Sequence, residues 1–412
     1  MPRLLLITYH FPPSAASGSF RMLGLARHLP RHDWQVIVVA PPRLPLEPVD
    51  SELGGQVPAG TVVCPAPYPQ GRGTRLLRRL AGNTIWLPRA LRACRRAVHE
   101  HRPDAVLTSS PPHWVHLLGL SVKRHFGIPW VADFRDPWIT NNEPLAGRPL
   151  GRRWQTFWER RVFASADALL ANAPRVGAGL EAAYPEHRGK IHVVTNGYDP
   201  ESFPPPTTRV SGRPLRIVHA GELYAGRDPR PVLNALKNLH ARNGPNIPRW
   251  RLCFLGRTGD PGFSLEQAIR ERGLQDHVEI GGQVAYARSL RDMAEADMLL
   301  LLDTPGRRLG VPAKLYEYLG AGRPILALAE PDSDVGWVLR ESGIPHRIVP
   351  YHVSAKIEQG LVELTNGLAD NGPCDAHVQR LHAFTREAMA GQVADLLDAL
   401  VPRSIPVGQS PG

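Results

Sequence analysis

The uninterrupted apolar run Met298–Leu302, MLLLL, is the feature that most constrains how this chain folds. A strand with one face in water alternates apolar and polar residues, whereas a strand covered by helices on both faces is apolar throughout. The run therefore predicts a parallel strand inside an α/β domain. A loop, a short helical segment and a second apolar run, Ile325–Leu328, follow it, which is the order of a strand–helix–strand unit.

The helix between these two runs is predicted over about Ala313–Leu319. Pro312 suits the first helical position, because the N–H that proline lacks would have no partner there. Gly320 and Gly322 suit the end of the helix, where the chain often needs a left-handed residue. These bounds place the start of the helix at the carboxyl edge of the sheet.

Lys314 and Glu317 lie three residues apart and share one face near the start of this helix. The free N–H groups and the dipole of a helix start attract anions, and Lys314 adds a full positive charge. The two oxygens of Glu317 can accept hydrogen bonds from a vicinal diol such as a ribose. The pair predicts a nucleotide-diphosphate site, with an exposed Lys–Glu pair of no function as the alternative.

Apolar runs and helical segments alternate along the whole 412-residue chain, which predicts an α/β protein with two domains. The predicted strands are Leu4–Thr8, Trp34–Ala40, Val62–Cys64, Ala105–Thr108, Trp130–Asp133, Ala168–Ala171, Ile191–Val194, Leu215–His219, Leu252–Leu255, Val278–Ile280, Met298–Leu302 and Ile325–Leu328. The predicted domains are residues 1–200 and 215–375, with a proline-rich linker at 201–214, a helix at 376–400 and a disordered tail at 401–412.

The chain carries 49 basic and 38 acidic residues, a formal net charge of +11, and its basic residues are mostly arginines. Arginine makes bidentate contacts with phosphate and carboxylate, so we expect an anionic substrate or surface. Residues 72–102 form a basic amphipathic segment, which is either a solvated helix face or a surface for anionic lipids or a lipid-linked acceptor. Nucleic acid is not an expected partner, because no basic stretch is interleaved with aromatic residues.

No metal or cofactor is expected. The four cysteines form no CxxC pair, which favours a reducing cytosol over metal or disulfide use; they are Cys64, Cys94, Cys253 and Cys374. Asp332 and Asp334 match a short acidic pattern that can hold a metal, but their place after a strand favours a helix cap. No apolar run is long enough for a signal peptide or a membrane span, so a cytoplasmic location is expected, with peripheral contact at the inner membrane surface as a further option.

Gly18 lies in a run of small residues between the first predicted strand and a helix predicted over Phe20–Leu29. In doubly wound folds this connection binds phosphates, and a glycine there permits close approach of the backbone. The connection contains no GxGxxG. This argues against a dinucleotide-dependent dehydrogenase, which would have the same architecture.

Three stretches carry a family resemblance: YHFPPSAASGSFR, HAGELYAGRDP and PAKLYEYLGAGRPILAL. They resemble family 4 of the retaining nucleotide-sugar glycosyltransferases, and the resemblance covers nearly the whole chain. It implies the GT-B fold, in which two Rossmann-like domains face each other across a cleft and the carboxyl-terminal helix crosses back to the first domain. It also implies a nucleoside-diphosphate sugar as donor and a glycan or a lipid-linked molecule as acceptor.

The resemblance also implies roles for residues of the second half. It places a phosphate-binding arginine at Arg227, the nucleoside base near Val284 and the donor ribose at Glu317. The chain departs from the family at Leu309, where a glutamate associated with the sugar end often stands. The sequence therefore leaves the donor sugar open.

In the first half the resemblance implies that His113 contacts the donor sugar, with His116 as a neighbouring alternative. Asp136 is expected to have an acceptor-side role. The alternative is that Asp133, Arg135 and Asp136 pair with one another and brace their loop.

The predicted function is a retaining glycosyltransferase of cell-surface polysaccharide or glycolipid synthesis. Two alternatives stay open. One is a nucleotide-sugar epimerase or phosphorylase of the same fold, and the other is a non-catalytic carbohydrate-binding relative, for which Leu309 is the hint.

Overall fold

A computed structural model describes residues 1–44, 47, 49–70, 82–136, 138, 149–205, 213–224, 226–242, 249–258, 263–351, 353–367 and 375–401. The chain divides into two compact units. The first contains Met1–Asn196 together with the segment that begins at Arg386, and the second is Gly197–Thr385. Part of the predicted linker, residues 206–212, and the predicted tail from residue 402 lie outside the described residues.

The first unit is built on a seven-stranded parallel sheet with the order β3-β2-β1-β4-β5-β6-β7. Its strands are β1 Arg3–Thr8, β2 Gln35–Ala40, β3 Val62–Pro65, β4 Ala105–Ser110, β5 Trp130–Phe134, β6 Ala168–Ala171 and β7 Ile191–Val193. The central strands are buried almost completely, because helices cover both faces of a parallel sheet.

The helices of the first unit are α1 Ser17–His28, α2 Ser51–Gly55, α3 Leu87–His101, α4 His116–Phe126, α5 Pro149–Ser165, α6 Pro174–Ala183 and, at the carboxyl end of the chain, α14 Arg386–Leu400. Met389, Val393 and Leu397 of α14 join the core formed by α1 and the sheet. The Trp34 indole N–H donates to Asp398 of α14 at 2.9 Å. The last helix is therefore part of the first unit.

The second unit is built on a six-stranded parallel sheet with the order β10-β9-β8-β11-β12-β13. Its strands are β8 Leu215–Ala220, β9 Trp250–Leu255, β10 Val278–Gly282, β11 Met298–Leu302, β12 Ile325–Leu328 and β13 His346–Val349. Its helices are α7 Arg230–Ala241, α8 Leu265–Arg270, α9 Tyr286–Ala294, α10 Ala313–Ala321, α11 Asp334–Ser342, α12 Ser354–Asn366 and α13 Asp375–His382.

The apolar run that begins at Met298 is the strand β11, as predicted, and all five of its residues are buried. Met298, Leu300 and Leu302 belong to one core of the second unit. Leu299 and Leu301 belong to the core on the opposite face of the sheet. Both faces are covered, which explains why the run has no polar alternation.

Three predictions about elements need correction. The helix predicted at 376–400 is two helices, α13 and α14, because Phe384 leaves the helical path to be buried in the core of the second unit, where it packs against Trp337. Pro312 is the residue before α10 and not its first residue. Strand β13 was not predicted, because its sequence, HRIV, alternates at the edge of the sheet and resembles a loop.

Candidate functional site

Strand β8 lies between β9 and β11, so the connections that follow β8 and β11 run to opposite sides of the second sheet. Such a switch point leaves a crevice at the carboxyl edge of a parallel sheet, where α/β proteins bind ligands. Arg227 follows β8, and Lys314 and Glu317 follow β11. Together with His219, the penultimate residue of β8, they form what we call the second-unit cluster.

Lys314 and Glu317 form a pair at the start of α10. The Lys314 ammonium donates to Glu317 Oε2 at 2.6 Å, and the two side chains are 32% and 7% exposed. The same ammonium lies 3.4 Å from the hydroxyl of Ser289 and 5.8 Å from the ring centroid of Tyr286, both on α9. An ammonium has three donors, so Lys314 can contact an anionic ligand while Glu317 holds it in place.

Arg227 is held by an aromatic ring. Its guanidinium carbon lies 4.3 Å from the ring centroid of Tyr224, a cation–π distance. The Nε atom of Arg227 is buried and has no hydrogen-bond partner among the described residues. A buried donor without a partner costs about 1–3 kcal/mol, and an anionic oxygen that accepted from it would remove that cost.

The imidazole of His219 feels the charge of both cations. Its Nδ1 lies 2.9 Å from the carbonyl oxygen of Leu300, to which it donates. Burial, together with the charges of Arg227 and Lys314, lowers the pKa of His219 to about 4, and the hydrogen bond to Leu300 partly opposes the decrease. Both cations are therefore close enough to this one buried side chain to influence its charge, which is consistent with their position at the same carboxyl edge of the second sheet.

The predicted base-binding position, Val284, is a partly buried residue between β10 and α9. The glycines before it form a bulge in the pairing of β10 with β9, and Gly282 has a φ of 65°. Val284 lies at the same carboxyl edge as Arg227, two strands away. At about 4.8 Å per strand, this spacing of roughly 10 Å suits a nucleoside attached to a diphosphate.

Sequence reasoning missed a second charged group at this edge. Asp303 follows β11, is 1% exposed and forms an ion pair with Arg307, and it also accepts the N–H of Thr304 at 2.8 Å. Burial raises the pKa of Asp303, while Arg307 and Arg227 oppose the increase. The available signal was a charged residue directly after an apolar strand.

The loop that carries Leu309 is tied to the start of α11. Asp334 Oδ2 accepts the N–H of Gly310 at 2.8 Å, and the hydroxyl of Ser333 accepts the N–H of Gly336 at 3.2 Å. The helix cap predicted for this acidic triplet is therefore confirmed, with Ser333 as the capping residue. The side chain of Asp332 is 68% exposed, and its Oδ2 lies 4.0 Å from Nη1 of Arg308.

In the first unit the switch point lies between β1 and β4. Gly18 is the second residue of α1, which begins three residues earlier than predicted, so Gly18 is helical and not part of a loop. A Cβ atom at Gly18 would lie 1.9 Å from Nη1 of Arg135. A glycine is therefore needed here because the guanidinium of Arg135 approaches the backbone closely, and not because of a loop that would bind phosphate.

Arg21, which sequence reasoning did not single out, organises the buried polar groups of the first unit. It donates through two nitrogens to the carboxylate of Asp133, at 3.0 and 2.9 Å, and both side chains are nearly inaccessible. Arg135 donates instead to the carbonyl oxygens of Ser110, at 2.5 Å, and Pro111, at 3.2 Å. Asp133 thus pairs with Arg21 and not, as the alternative had it, with Arg135.

His113 and Asp136 lie next to each other. The Nε2 atom of His113 donates to the carbonyl oxygen of Asp136 at 2.8 Å, and its ring stacks on Trp138 with centroids 5.4 Å apart. The competing His116 is fully buried, its Nδ1 lies 2.8 Å from the hydroxyl of Thr108, and burial lowers its pKa well below the usual range. Of these two histidines, His113 is the less buried.

Residues 19–202 match the profile of Glycosyltransferase Family 4. Over this stretch the chain is therefore similar to Glycosyltransferase Family 4. The matched stretch contains Arg21, His113, Asp133 and Asp136, so the polar groups of the first unit lie within the family profile.

Two curated relatives that the chain resembles are glycosyltransferases. The D-inositol 3-phosphate glycosyltransferase of Corynebacterium urealyticum is 26% identical over 184 residues, which cover 41% of this chain and 42% of the relative. The GDP-mannose:cellobiosyl-diphosphopolyprenol alpha-mannosyltransferase of Xanthomonas campestris is 26% identical over 218 residues, 48% of this chain and 54% of the relative. The chain spans about half the length of the curated relatives it matches.

A solved structure has the same fold over nearly the whole chain. HepE from Anabaena, crystallised with UDP-glucose, superposes with a TM-score of 0.61 at 16% identity, and the alignment covers 96% of this chain and 99% of HepE. The two parallel sheets with their flanking helices are those of the GT-B fold.

The predicted basic segment, residues 72–102, is partly described. Residues 71–81 lie outside the described residues, and α3 accounts for most of the remainder. Its apolar side faces the core, with Cys94 and Ala97 fully buried, while Arg92 and Arg95 are exposed. Helix α3 therefore packs its apolar side in the protein core and exposes a basic face. No helix in the described part of the chain is both long and apolar enough to cross a bilayer.

Proposed function

We propose that the protein transfers a sugar from a nucleoside-diphosphate donor to a glycan or a lipid-linked acceptor, with retention of configuration at the anomeric carbon. The observation that carries this proposal is the second-unit cluster. Two cations, Arg227 and Lys314, stand at a switch point beside a buried carboxylate, Glu317, that accepts hydrogen bonds. This is the set of groups that a diphosphate and a ribose require.

The proposed mechanism is electrostatic. As the bond between the sugar and the diphosphate breaks, negative charge grows on the leaving phosphate oxygens. Arg227, Lys314 and the N–H groups at the start of α10 stabilise that charge, and they are held in place before the reaction. An oxygen of the departing phosphate takes the proton of the acceptor hydroxyl, so the chemistry needs no metal.

The donor and acceptor classes are supported by the relatives. The name of the Xanthomonas relative gives GDP-mannose as its donor and a diphosphopolyprenol as its acceptor, and HepE was crystallised with UDP-glucose. We assign His113 to the donor sugar and Asp136 to the acceptor side. A lipid-linked acceptor would place the protein in the cytoplasm at the inner membrane surface, in polysaccharide or glycolipid synthesis.

The test is release of nucleoside diphosphate from a panel of UDP and GDP sugars, with membrane lipid extract as the acceptor. We expect release that depends on the extract and a product whose anomeric configuration matches that of the donor. An inverted product would refute retention. Turnover of the donor without an acceptor, or only with inorganic phosphate, would instead indicate an epimerase or a phosphorylase.

A further inference from the structure

Two large aromatic side chains stand on the surface of α5. Trp154 is 56% exposed and Phe157 is 47% exposed, and their rings stack with centroids 6.3 Å apart. The guanidinium carbon of Arg161 lies 5.4 Å from the ring centroid of Phe157. Exposed aromatic residues that touch one another form an apolar patch, and such patches on soluble domains mark contact surfaces.

Every exposed residue of the described part of α5 lies on the same side as this pair. At about 100° per residue, these positions fall within a sector of about 120°. They are Arg153, Trp154, Phe157, Arg160, Arg161 and Ala164. The described surface of α5 therefore consists of two aromatic rings, one alanine and three arginines, with no acidic side chain among them. We call this surface the α5 face.

The opposite side of α5 anchors the helix in the first unit. Val162 and Phe163 are fully buried, and the Phe163 ring packs against Tyr184 with centroids 4.2 Å apart. The hydroxyl of Tyr184 donates to the carboxylate of Glu159 at 2.7 Å. The α5 face is thus presented by a helix that packing holds in place, and the aromatic rings cannot turn inward without breaking this core.

We propose that the α5 face docks the protein on the surface of an anionic phospholipid bilayer. Its charge is of one sign, which is complementary to anionic headgroups. Its rings are the kind that settle at the level of the headgroups, with arginines beside them. A surface that binds a protein partner usually carries both acidic and basic side chains. A surface that binds an anionic bilayer needs only basic ones, and the α5 face has only basic ones.

A second basic surface, on α3, differs from the α5 face in the decisive respect. Arg92, Arg95 and Arg96 are exposed there, but the apolar residues of α3 face the core. That surface can supply attraction without insertion. The α5 face combines both contributions, so we assign it the docking and α3 at most a long-range attraction that salt screens.

The use of this docking rests on the proposed function, because it would bring the protein to a lipid-linked acceptor. The docking itself can be measured without sugar transfer. The experiment is co-sedimentation of the full chain with two kinds of vesicle. One is phosphatidylcholine alone, and the other contains about 30% phosphatidylglycerol. Two variants remove the two contributions separately: R153Q/R160Q/R161Q removes charge, and W154S/F157S removes the aromatic pair.

The controls match each variant. R92Q/R95Q/R96Q removes the same charge from α3, and V62S/V63S removes two exposed apolar residues of β3 elsewhere on the first unit. Far-ultraviolet circular dichroism and thermal melting of each variant confirm that it folds. In addition, W154F keeps an aromatic ring but removes the exposed indole, so quenching of tryptophan fluorescence by brominated lipid reports whether Trp154 enters the bilayer.

We expect wild type to bind the anionic vesicles and not the neutral ones. At roughly fivefold per basic residue, the triple arginine variant on α5 should bind about a hundredfold more weakly. The aromatic variant should lose at least tenfold, and both controls should stay within about threefold of wild type. Brominated lipid should quench wild type more than W154F.

Three outcomes would overturn the proposal: no binding of wild type to anionic vesicles, a loss in the α3 control as large as in the α5 variant, or equal quenching of wild type and W154F. Self-association of wild type that W154S/F157S abolishes, without vesicle binding, would assign the α5 face to a second copy of the chain. Nucleotide binding tests the proposed function separately from the docking. The α5 variants should bind nucleotide as wild type does, so a loss of vesicle binding alone concerns the docking, and a failure of wild type to bind nucleotide concerns the proposed function.

Discussion

Glu317 gives the sharpest test of the nucleotide site. In the structure its carboxylate is 7% exposed and accepts a hydrogen bond from Lys314 at 2.6 Å, so it is fixed before any ligand binds. If it also accepts hydrogen bonds from the ribose hydroxyls, Glu317→Ala removes hydrogen bonds to a charged acceptor. These are worth about 1.5–3 kcal/mol, which corresponds to a roughly 10- to 150-fold increase in the Kd for nucleoside diphosphate.

Two further variants separate this effect from a general disturbance of α10. Glu317→Gln keeps one acceptor oxygen without the charge, so it should weaken binding less, by about three- to tenfold. Glu363→Ala removes another carboxylate that is paired with an arginine, Arg347, and should leave the affinity unchanged. Lys314 is one-third exposed and can turn to water when Glu317 is removed, so we expect Glu317→Ala to remain folded.

The assay is titration of each variant with UDP and GDP by isothermal calorimetry, with a urea unfolding curve for each protein. An affinity of Glu317→Ala within twofold of wild type, for whichever nucleotide binds more tightly, would refute the ribose role. A loss of affinity that tracks a loss of folded protein would show that the pair with Lys314 is structural.

Arg227→Ala and Lys314→Ala should each lower kcat by at least tenfold and raise the Kd for the donor by less, because the charge on the leaving diphosphate grows in the transition state. A change of KM alone in steady-state kinetics would contradict this. Full inactivation by EDTA, with recovery on adding manganese, would contradict the metal-free mechanism. His219 has a pKa of about 4 in the folded protein against 6.5 when unfolded, so it contributes stability above about pH 6.5 that is lost as the pH falls to about 4, up to about 3 kcal/mol. Urea midpoints between pH 7 and pH 4.5 should therefore fall less steeply for His219→Phe than for wild type, and parallel curves would argue against this. Gly18→Ala should lower the free energy of unfolding by about 1–3 kcal/mol, because its Cβ would meet a buried guanidinium. In the same unfolding assay Gly179→Ala should be neutral or stabilising, because a Cβ at Gly179 meets nothing within 4 Å.

The apolar runs predicted the sheets well because burial on both faces leaves no choice of residue type. Strands β6, β11 and β12 begin and end at the predicted residues. The prediction failed where a contact that is distant in the sequence decides the structure. The break between α13 and α14 depends on the burial of Phe384 beside Trp337, and no local pattern shows it.

The site shows the same division between local and distant causes. Lys314 and Glu317 could be paired from their spacing on one helix, and the structure places them 2.6 Å apart. The pairing of Arg21 with Asp133, 112 residues apart, could not be predicted, because it depends on how the fold brings α1 next to β5. A single sequence without the fold gives no reason to choose Arg21 over the other arginines.

The most direct test of the central claim is saturation-transfer NMR of the wild-type chain with a panel of UDP and GDP sugars, with Arg227→Ala as the comparison. The account predicts that at least one nucleotide sugar receives saturation at its ribose and base protons. It also predicts that the matching nucleoside diphosphate displaces this ligand and that the signal is strongly reduced in Arg227→Ala. No saturation of any nucleotide sugar by folded wild type, or the same signal in Arg227→Ala, would contradict the assignment of the second-unit cluster as a nucleotide-sugar site.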